Sequence, residues 1–251
     1  MTTPFDLTGK TAVVTGGGRG LGLGISGALL EAGADVIVLA RTAVPVELTA
    51  HAASVGRQVH FVALDLADSA AIAAVAAQVL AVHQVDILVN NAGTQDRHPA
   101  VDFPLEAWDQ VLDINLRAVF QLCQLFGRPM LERGAGKIVN MASLLSFQGG
   151  LTVPAYAASK GAVGQLTKAL CNEWSGQGVN VNAVAPGYMA TDMNSALLAD
   201  PVRLAQLSVR IPAGRWGQPD DVGNVVVFLA SQAAAYVHGQ VLAVDGGWMA
   251  R

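Results

Sequence analysis

The chain has 251 residues, of which 52% are apolar and 14% charged, with 27 glycines and 10 prolines. Its mean hydropathy is +0.42, so it can fill a large core and is not a disordered polymer. The net charge is −4 and the basic residues are scattered, which argues against nucleic acid or an anionic membrane as a partner.

In chain order, short β-branched runs alternate with alanine-rich segments of helical spacing. Strands are expected at Lys10–Thr15, Asp35–Ala40, Gln58–Leu64, Asp86–Asn90, Lys137–Met141, Val179–Ala185 and Gln240–Val244. Most of these runs are apolar throughout, as in strands covered on both faces. Helices are expected at Leu21–Ala32, Val46–Val55, Ser69–Val82, Leu105–Arg133, Tyr156–Gln177 and Asp220–Ser231. The Leu105–Arg133 stretch reads as two helices meeting near Asp113–Arg117. The alternation predicts an α/β fold: a doubly wound, seven-stranded parallel sheet with helices on both faces. No linker, repeat or charge block divides the chain, so residues 1–251 are expected to form one domain. The least regular stretch, Pro186–Trp216, is the expected substrate loop or lid.

Cys123 and Cys171 stand apart with no CxxC arrangement and read as reduced packing residues. The five histidines show no HExxH pairing, so no metal site is expected. The start, MTTPFDLTGK, has neither a basic region nor an apolar stretch after it, and the expectation is a soluble cytoplasmic protein.

The segment Thr15-Gly16-Gly17-Gly18-Arg19-Gly20-Leu21-Gly22 follows the first strand and opens the first helix. Glycines there let the backbone turn tightly and approach a pyrophosphate, which exposed N–H groups and the helix dipole attract. Gly16, Gly18, Arg19, Gly20, Leu21 and Gly22 are therefore candidate cofactor residues. The second strand ends in Ala40-Arg41 with no carboxylate for a ribose 2′-hydroxyl. Arg41 and Arg19 suit a 2′-phosphate instead, which favours NADP(H) and leaves NAD(H) as the alternative. Asp65, beside Leu66, is placed either to meet an adenine amino group or to cap the helix near Ser69. Asn91-Ala92-Gly93, after Asn90, falls at the carboxyl edge of the sheet, where such folds bind ligands.

Tyr156 and Lys160 stand at i, i+4 on one helix face, Ser143 follows the fifth strand, and Asn115 falls where the two middle helices meet. Taken together, Gly16-xxx-Gly20-x-Gly22, Asn90-Asn91-Ala92-Gly93, Asn115, Ser143 and Tyr156-xxx-Lys160 resemble the short-chain dehydrogenase/reductase family over nearly the whole chain. The resemblance implies an NAD(P)-dependent oxidoreductase acting on CH–OH groups. In it, Tyr156 exchanges a proton with the substrate oxygen, Ser143 hydrogen-bonds that oxygen, and Lys160 favours the phenolate and holds the nicotinamide ribose. Asn115 would anchor a water, while Pro186, Gly187, Met189 and Thr191 would border the nicotinamide. The family also implies a homotetramer, with the C-terminal Asp245–Arg251 segment in subunit contacts or on its own subunit.

A narrower likeness lies in Leu145-Ser146-Phe147-Gln148-Gly149-Gly150, Pro186-Gly187-Tyr188-Met189-Ala190-Thr191, Ile211-Pro212-Ala213-Gly214-Arg215-Trp216-Gly217 and the tail. It resembles the 2-dehydro-3-deoxy-D-gluconate 5-dehydrogenases and gluconate 5-dehydrogenases, and so implies a small sugar-acid substrate. Gln95, Arg97, His98, Leu145, Gln148, Tyr188, Arg203 and Arg210 are the candidate substrate residues, with an arginine or His98 neutralising the carboxylate. Other readings are an NADPH-dependent ketone or 3-oxoacyl thioester reductase, or a catalytically silent nucleotide-binding redox sensor.

Overall fold

The computed structural model describes residues 3–191 and 194–251. Seven strands run β1 Thr11–Thr15, β2 Asp35–Ala40, β3 Val59–Ala63, β4 Ile87–Asn90, β5 Gly136–Met141, β6 Val179–Pro186 and β7 Val241–Val244. All pair in parallel in the order β3-β2-β1-β4-β5-β6-β7. The predicted fold is therefore the observed one, with strand ends displaced by a residue or so.

Side chains alternate across the sheet, and each face finds its own helices. Val14, Val38, Val89 and Val139 pack with Ile25 and Leu29 of α1 (Gly20–Glu31), Leu48 of α2 (Val46–Ser54) and Val226 of α9 (Pro219–Ala230). Their neighbours Val13, Ile37, Leu88 and Ile138 point the other way. They meet Ile72 of α3 (Ser69–Val82), Leu122 and Phe126 of α5 (Ala118–Glu132) and Leu170 of α6 (Pro154–Trp174). The edge strands depart from the expected cover on both faces. Phe61 of β3 and Leu242 of β7 are exposed, because an edge strand has no second neighbour and lies past the helical layers.

The long helical stretch divides where the sequence indicated. Here α4 (Leu105–Leu112) passes through one π turn, Asp113–Arg117, into α5. The Pro186–Trp216 excursion is more regular than expected, since it contains α7 (Ser195–Leu198) and α8 (Pro201–Ser208). The signal was present but is shared with turns: Asp200 caps α8 by accepting from the Val202 and Arg203 amides at 3.0 and 3.1 Å, and Pro201 occupies the first turn. Similarly, Asp68 caps α3, accepting from Ala70 and Ala71 at 2.9 Å. Asp65 instead accepts from Ala67 at 3.0 Å within the preceding turn, which removes the capping alternative for it.

The excursion folds onto the tail. Leu207, Ile211, Trp216 and Trp248 are buried together with Leu144, the residue after Ser143. Tyr188 lies 4.6 Å from the Trp248 ring and 5.4 Å from the Trp216 ring, centroid to centroid. Asp245 pins the tail through the Gly247 and Met249 amides at 2.8 and 2.9 Å. Trp248 thus packs on its own subunit. No helix among the described residues is long and apolar enough to cross a membrane.

Trp248 supplies much of the apolar contact between tail and excursion. Trp248→Ala is expected to cost about 3 kcal/mol in denaturant unfolding and to speed tryptic cleavage at Arg203 or Arg210. Unchanged unfolding and unchanged cleavage would contradict that role.

Candidate active site

Strand order reverses between β1 and β4, where adjacent crossovers diverge and leave a crevice at the carboxyl ends. The glycine turn lies at this point. Gly16 and Gly20 have φ of +65° and +51°, the left-handed region that favours glycine. A Cβ on Gly22 would lie 2.0 Å from the Gly16 carbonyl oxygen, so only hydrogen fits there. The turn is anchored by the Gly16 amide donating to Leu39 at 2.8 Å and by Ser26 donating to the Gly17 carbonyl at 3.0 Å.

Asn91 belongs to the same scaffold. Its amide donates to the Thr15 carbonyl at 2.9 Å and the Gly16 carbonyl at 3.3 Å, and the Ala92 amide donates to the Thr15 hydroxyl at 3.0 Å. The β4 exit and the glycine turn are thereby one unit. Helix α1 starts without a side-chain cap, so its first N–H groups remain for an anionic ligand. Thr191 overhangs them, with its Cβ 3.8 Å from where a Cβ on Gly20 would stand. This cradle fits a dinucleotide pyrophosphate. Arg19 and Arg41 are exposed on the same side of the molecule's first two βα junctions and form no ion pair among the described residues. Leu66 packs against the sheet's helical layer, and the Met189 side chain is buried in the other.

The other predicted residues converge further along the sheet edge. Lys160 is 4% exposed, and its ammonium donates to the Met141 carbonyl at 2.6 Å. Its Nζ lies 5.7 Å from the Tyr156 ring centroid. Burial lowers the lysine pKa from 10.5 to about 8. Burial also raises the half-buried Tyr156 phenol above 10, and a hydrogen bond from Ser143 works against that rise. The Lys160 charge was expected to lower the Tyr156 pKa; in the structure burial drives both partners towards their neutral forms.

Asn115 sits in the π turn and is fully buried. Its Oδ1 accepts from the Thr94 amide at 2.8 Å, and its Nδ2 donates to the Thr94 carbonyl at 2.8 Å and the Ser159 hydroxyl at 3.1 Å. Both amide protons are engaged, which leaves a lone pair and its backbone for any water. Ser159 in turn donates to the Tyr156 carbonyl at 2.8 Å. Ser159 had no expected role, and neither did Ser146, which accepts from the Ser143 amide at 3.2 Å and donates to the Lys160 carbonyl at 2.7 Å. Each has one local partner and one distant one, and the distant ones, Asn115 for Ser159 and the Lys160 carbonyl for Ser146, lie 44 and 14 positions away and carry no signal in the neighbouring sequence.

The substrate candidates are less unified. The Leu145 amide donates to the Ser143 hydroxyl at 3.2 Å, and Tyr188 lies in the aromatic cluster already described. His98 pairs with Asp96 at 3.1 Å and meets Phe103 edge-on at 5.3 Å. Gln95 is half-buried, whereas Arg97 and Gln148 are exposed. Arg203 is exposed on α8 near Gln206, 3.4 Å away, and Arg210 stacks 4.0 Å over the Trp248 ring. Pro186 and Gly187 end β6, where the Gly187 amide donates to Val244 at 2.9 Å.

Known proteins share this fold over nearly the whole chain. A family model described as Enoyl-(Acyl carrier protein) reductase matches residues 16–249. The chain belongs to this family of short-chain dehydrogenases and reductases. It is 52% identical to the 2-dehydro-3-deoxy-D-gluconate 5-dehydrogenase of Bacillus subtilis (strain 168), over 98% of this chain and 97% of that one. Among solved structures it superimposes with a TM-score of 0.96 on a provisionally assigned NAD(P)-dependent gluconate 5-dehydrogenase from Beutenbergia cavernae with NADP bound at low occupancy. That protein is 52% identical and the match covers 99% of this chain and 100% of that one. A gluconate 5-dehydrogenase from Burkholderia cenocepacia in complex with NADP and tartrate gives a TM-score of 0.93 at 40% identity, covering 99% and 98% of the two chains.

The lysine's lowered pKa has a signed consequence for stability. The unfolded chain binds this proton up to about pH 10.5 but the folded one only to about pH 8, so stability rises with pH between them. Wild type should therefore gain up to about 3 kcal/mol on Lys160→Met from pH 7 to 10.5 in urea unfolding. A pH-independent difference would contradict the buried ammonium.

Proposed function

We propose that this oxidoreductase reversibly oxidises a secondary hydroxyl of a sugar acid with NADP(H) as coenzyme. The observation that carries the reading is the convergence of Ser143, Tyr156 and Lys160 beside the glycine cradle. The sugar-acid assignment draws on the relatives' substrates, and tartrate in the Burkholderia cenocepacia structure is itself a hydroxy acid. NADP in both solved relatives supports the coenzyme, as do the guanidiniums of Arg19 and Arg41, which form no ion pair among the described residues.

When bound, the nicotinamide supplies or accepts the hydride. The chain's own residues handle the proton and the oxygen. Ser143 donates a hydrogen bond to the substrate oxygen, with its own Oγ oriented by the Leu145 amide. Tyr156 takes the hydroxyl proton in oxidation and returns it in reduction. Lys160 holds a positive charge beside the phenol below about pH 8 and donates to the coenzyme ribose. Asn115 fixes the Thr94 backbone and, through Ser159, the start of α6. Gly16, Gly18, Gly20, Leu21 and Gly22 line the pyrophosphate, Asp65 and Leu66 the adenine, and Ala92 and Gly93 the adenosine ribose, with Pro186, Gly187, Met189 and Thr191 at the nicotinamide end.

Residues 186–216 serve as the substrate lid on a single domain. Its aromatic floor, Tyr188 with Trp216 and Trp248, adjoins Leu144. The protein works in the cytoplasm as a homotetramer. A groove lined by Leu112, Leu116, Phe120 and Leu166, with the Asp113–Arg117 ion pair beside them, lies where α4 and α5 meet α6 and supports that assembly.

Turnover of 2-dehydro-3-deoxy-D-gluconate and D-gluconate with each coenzyme tests the reading. Tyr156→Phe should lose about 10²–10⁴-fold in kcat, the usual share of a general base. Full activity in that variant, or no turnover of any sugar acid by wild type, would overturn the assignment. Arg41→Ala should raise the NADP⁺ KM about 10-fold or more, as loss of a charge-assisted hydrogen bond requires, while leaving NAD⁺ kinetics unchanged. Equal effects on both coenzymes would remove Arg41 from the 2′-phosphate.

A further inference from the structure

Ser143 and Lys160 come from different elements, the exit of β5 and the second turn of α6, and their relative placement needs a physical link. The half-buried Ser146 provides one at the end of the 3₁₀ turn Leu144–Ser146. A hydroxyl has one proton and two lone pairs. In Ser146 the proton goes to the Lys160 carbonyl at 2.7 Å, and one lone pair takes the Ser143 amide at 3.2 Å. Lys160 is consequently tied to the β5 exit at both ends, by its backbone to Ser146 and by its ammonium to the Met141 carbonyl at 2.6 Å.

The turn also orients the Ser143 hydroxyl itself. Its oxygen accepts from the Leu145 amide at 3.2 Å, leaving its proton for the Tyr156 phenol or for a substrate oxygen. We infer that Ser146 is a positioning residue for hydride transfer: it sets the spacing between the Ser143 turn and the helix bearing Tyr156 and Lys160 without touching substrate. This inference rests on the roles proposed above for those three residues. It goes beyond them by giving the constellation a brace that the reaction chemistry does not require. Misplacement by about 1 Å of a reacting group is enough to cost about 10²-fold in rate, so a single lost hydrogen bond can matter.

Removal of the brace should affect kcat more than binding. With 2-dehydro-3-deoxy-D-gluconate and NADP⁺, Ser146→Ala is expected to lower kcat about 10-fold. Both KM values should stay within about 2-fold, since the coenzyme cradle and lid are untouched. The pH at which oxidation reaches half its maximum should rise, because a loosened Ser143 supports the phenolate less; Lys160 is the charged group facing that phenol. Ser146→Thr, which keeps the hydroxyl, should restore most of kcat and the original pH profile. If Ser146→Ala does not fold, Ser146→Cys is read in the same way, with its weak donor giving a partial loss.

A kcat and pH profile at wild-type values in the folded variant would overturn the inference, whatever happens to thermal stability. Tyr156→Phe assayed alongside separates the two levels. An active Tyr156→Phe defeats the proposed function and this inference with it. An inactive Tyr156→Phe beside a fully active Ser146→Ala defeats the inference alone.

Discussion

An ammonium group removed from water is the constraint around which the catalytic end of this molecule is organised. Lys160 is buried and its Nζ has the Met141 carbonyl as partner. A buried charge with so little solvation loses its proton more easily, which is why the pKa falls to about 8. The fold tolerates the group because the parallel sheet ends there: carbonyls at a strand's carboxyl end point beyond the last ladder bonds. The same edge supplies the Ser143 turn and the Asn91–Gly93 segment. A Cβ on Gly93 would lie 3.6 Å from Nζ and 3.2 Å from Asn115 Oδ1, so the chain passes closely over both.

The neighbouring polar groups form a frame more than a reservoir of charge. Asn115 grips the Thr94 backbone from both sides, Ser159 links it to Tyr156, and Ser146 links Ser143 to Lys160. Deeper in the sheet, Asn90 donates to Asn140 at 2.9 Å and Asn140 to Thr167 at 3.0 Å, tying β4 and β5 to α6. Beside them the buried Cys123 thiol is pushed up to about 12 by loss of solvent, which makes it a packing group rather than a nucleophile. Such networks narrow the geometries available to a core, even though Asn90 Oδ1 is buried without a hydrogen-bond partner among the described residues. Here they join elements that sequence-local forces alone would leave independent.

That difference in range explains what could be read from the chain. Strands, α1 and the glycine turn depend on local pattern: apolar runs, strand-to-helix punctuation, and a Gly22 that tolerates no Cβ. They were legible to within a residue or so. Tyr156 and Lys160 were also legible, since i, i+4 spacing puts them on one helix face. Asn115 was located, but its partners Thr94 and Ser159 lie 21 and 44 positions away, so its grip on the backbone was not. The Pro186–Trp216 stretch was read as irregular because a proline such as Pro201 signals a turn and a helix start equally well. Arg203 and Arg210 were grouped as carboxylate ligands by charge alone; the contact of Arg210 with Trp248 depends on how the tail docks.

A direct titration of the Lys160 amine bears most closely on this account. With ¹³Cε-labelled lysine and a Lys160→Met difference spectrum to assign the signal, NMR should place its midpoint near pH 8. A midpoint at the ordinary 10.5 would mean that the amine is solvated and that the buried frame described here does not hold it.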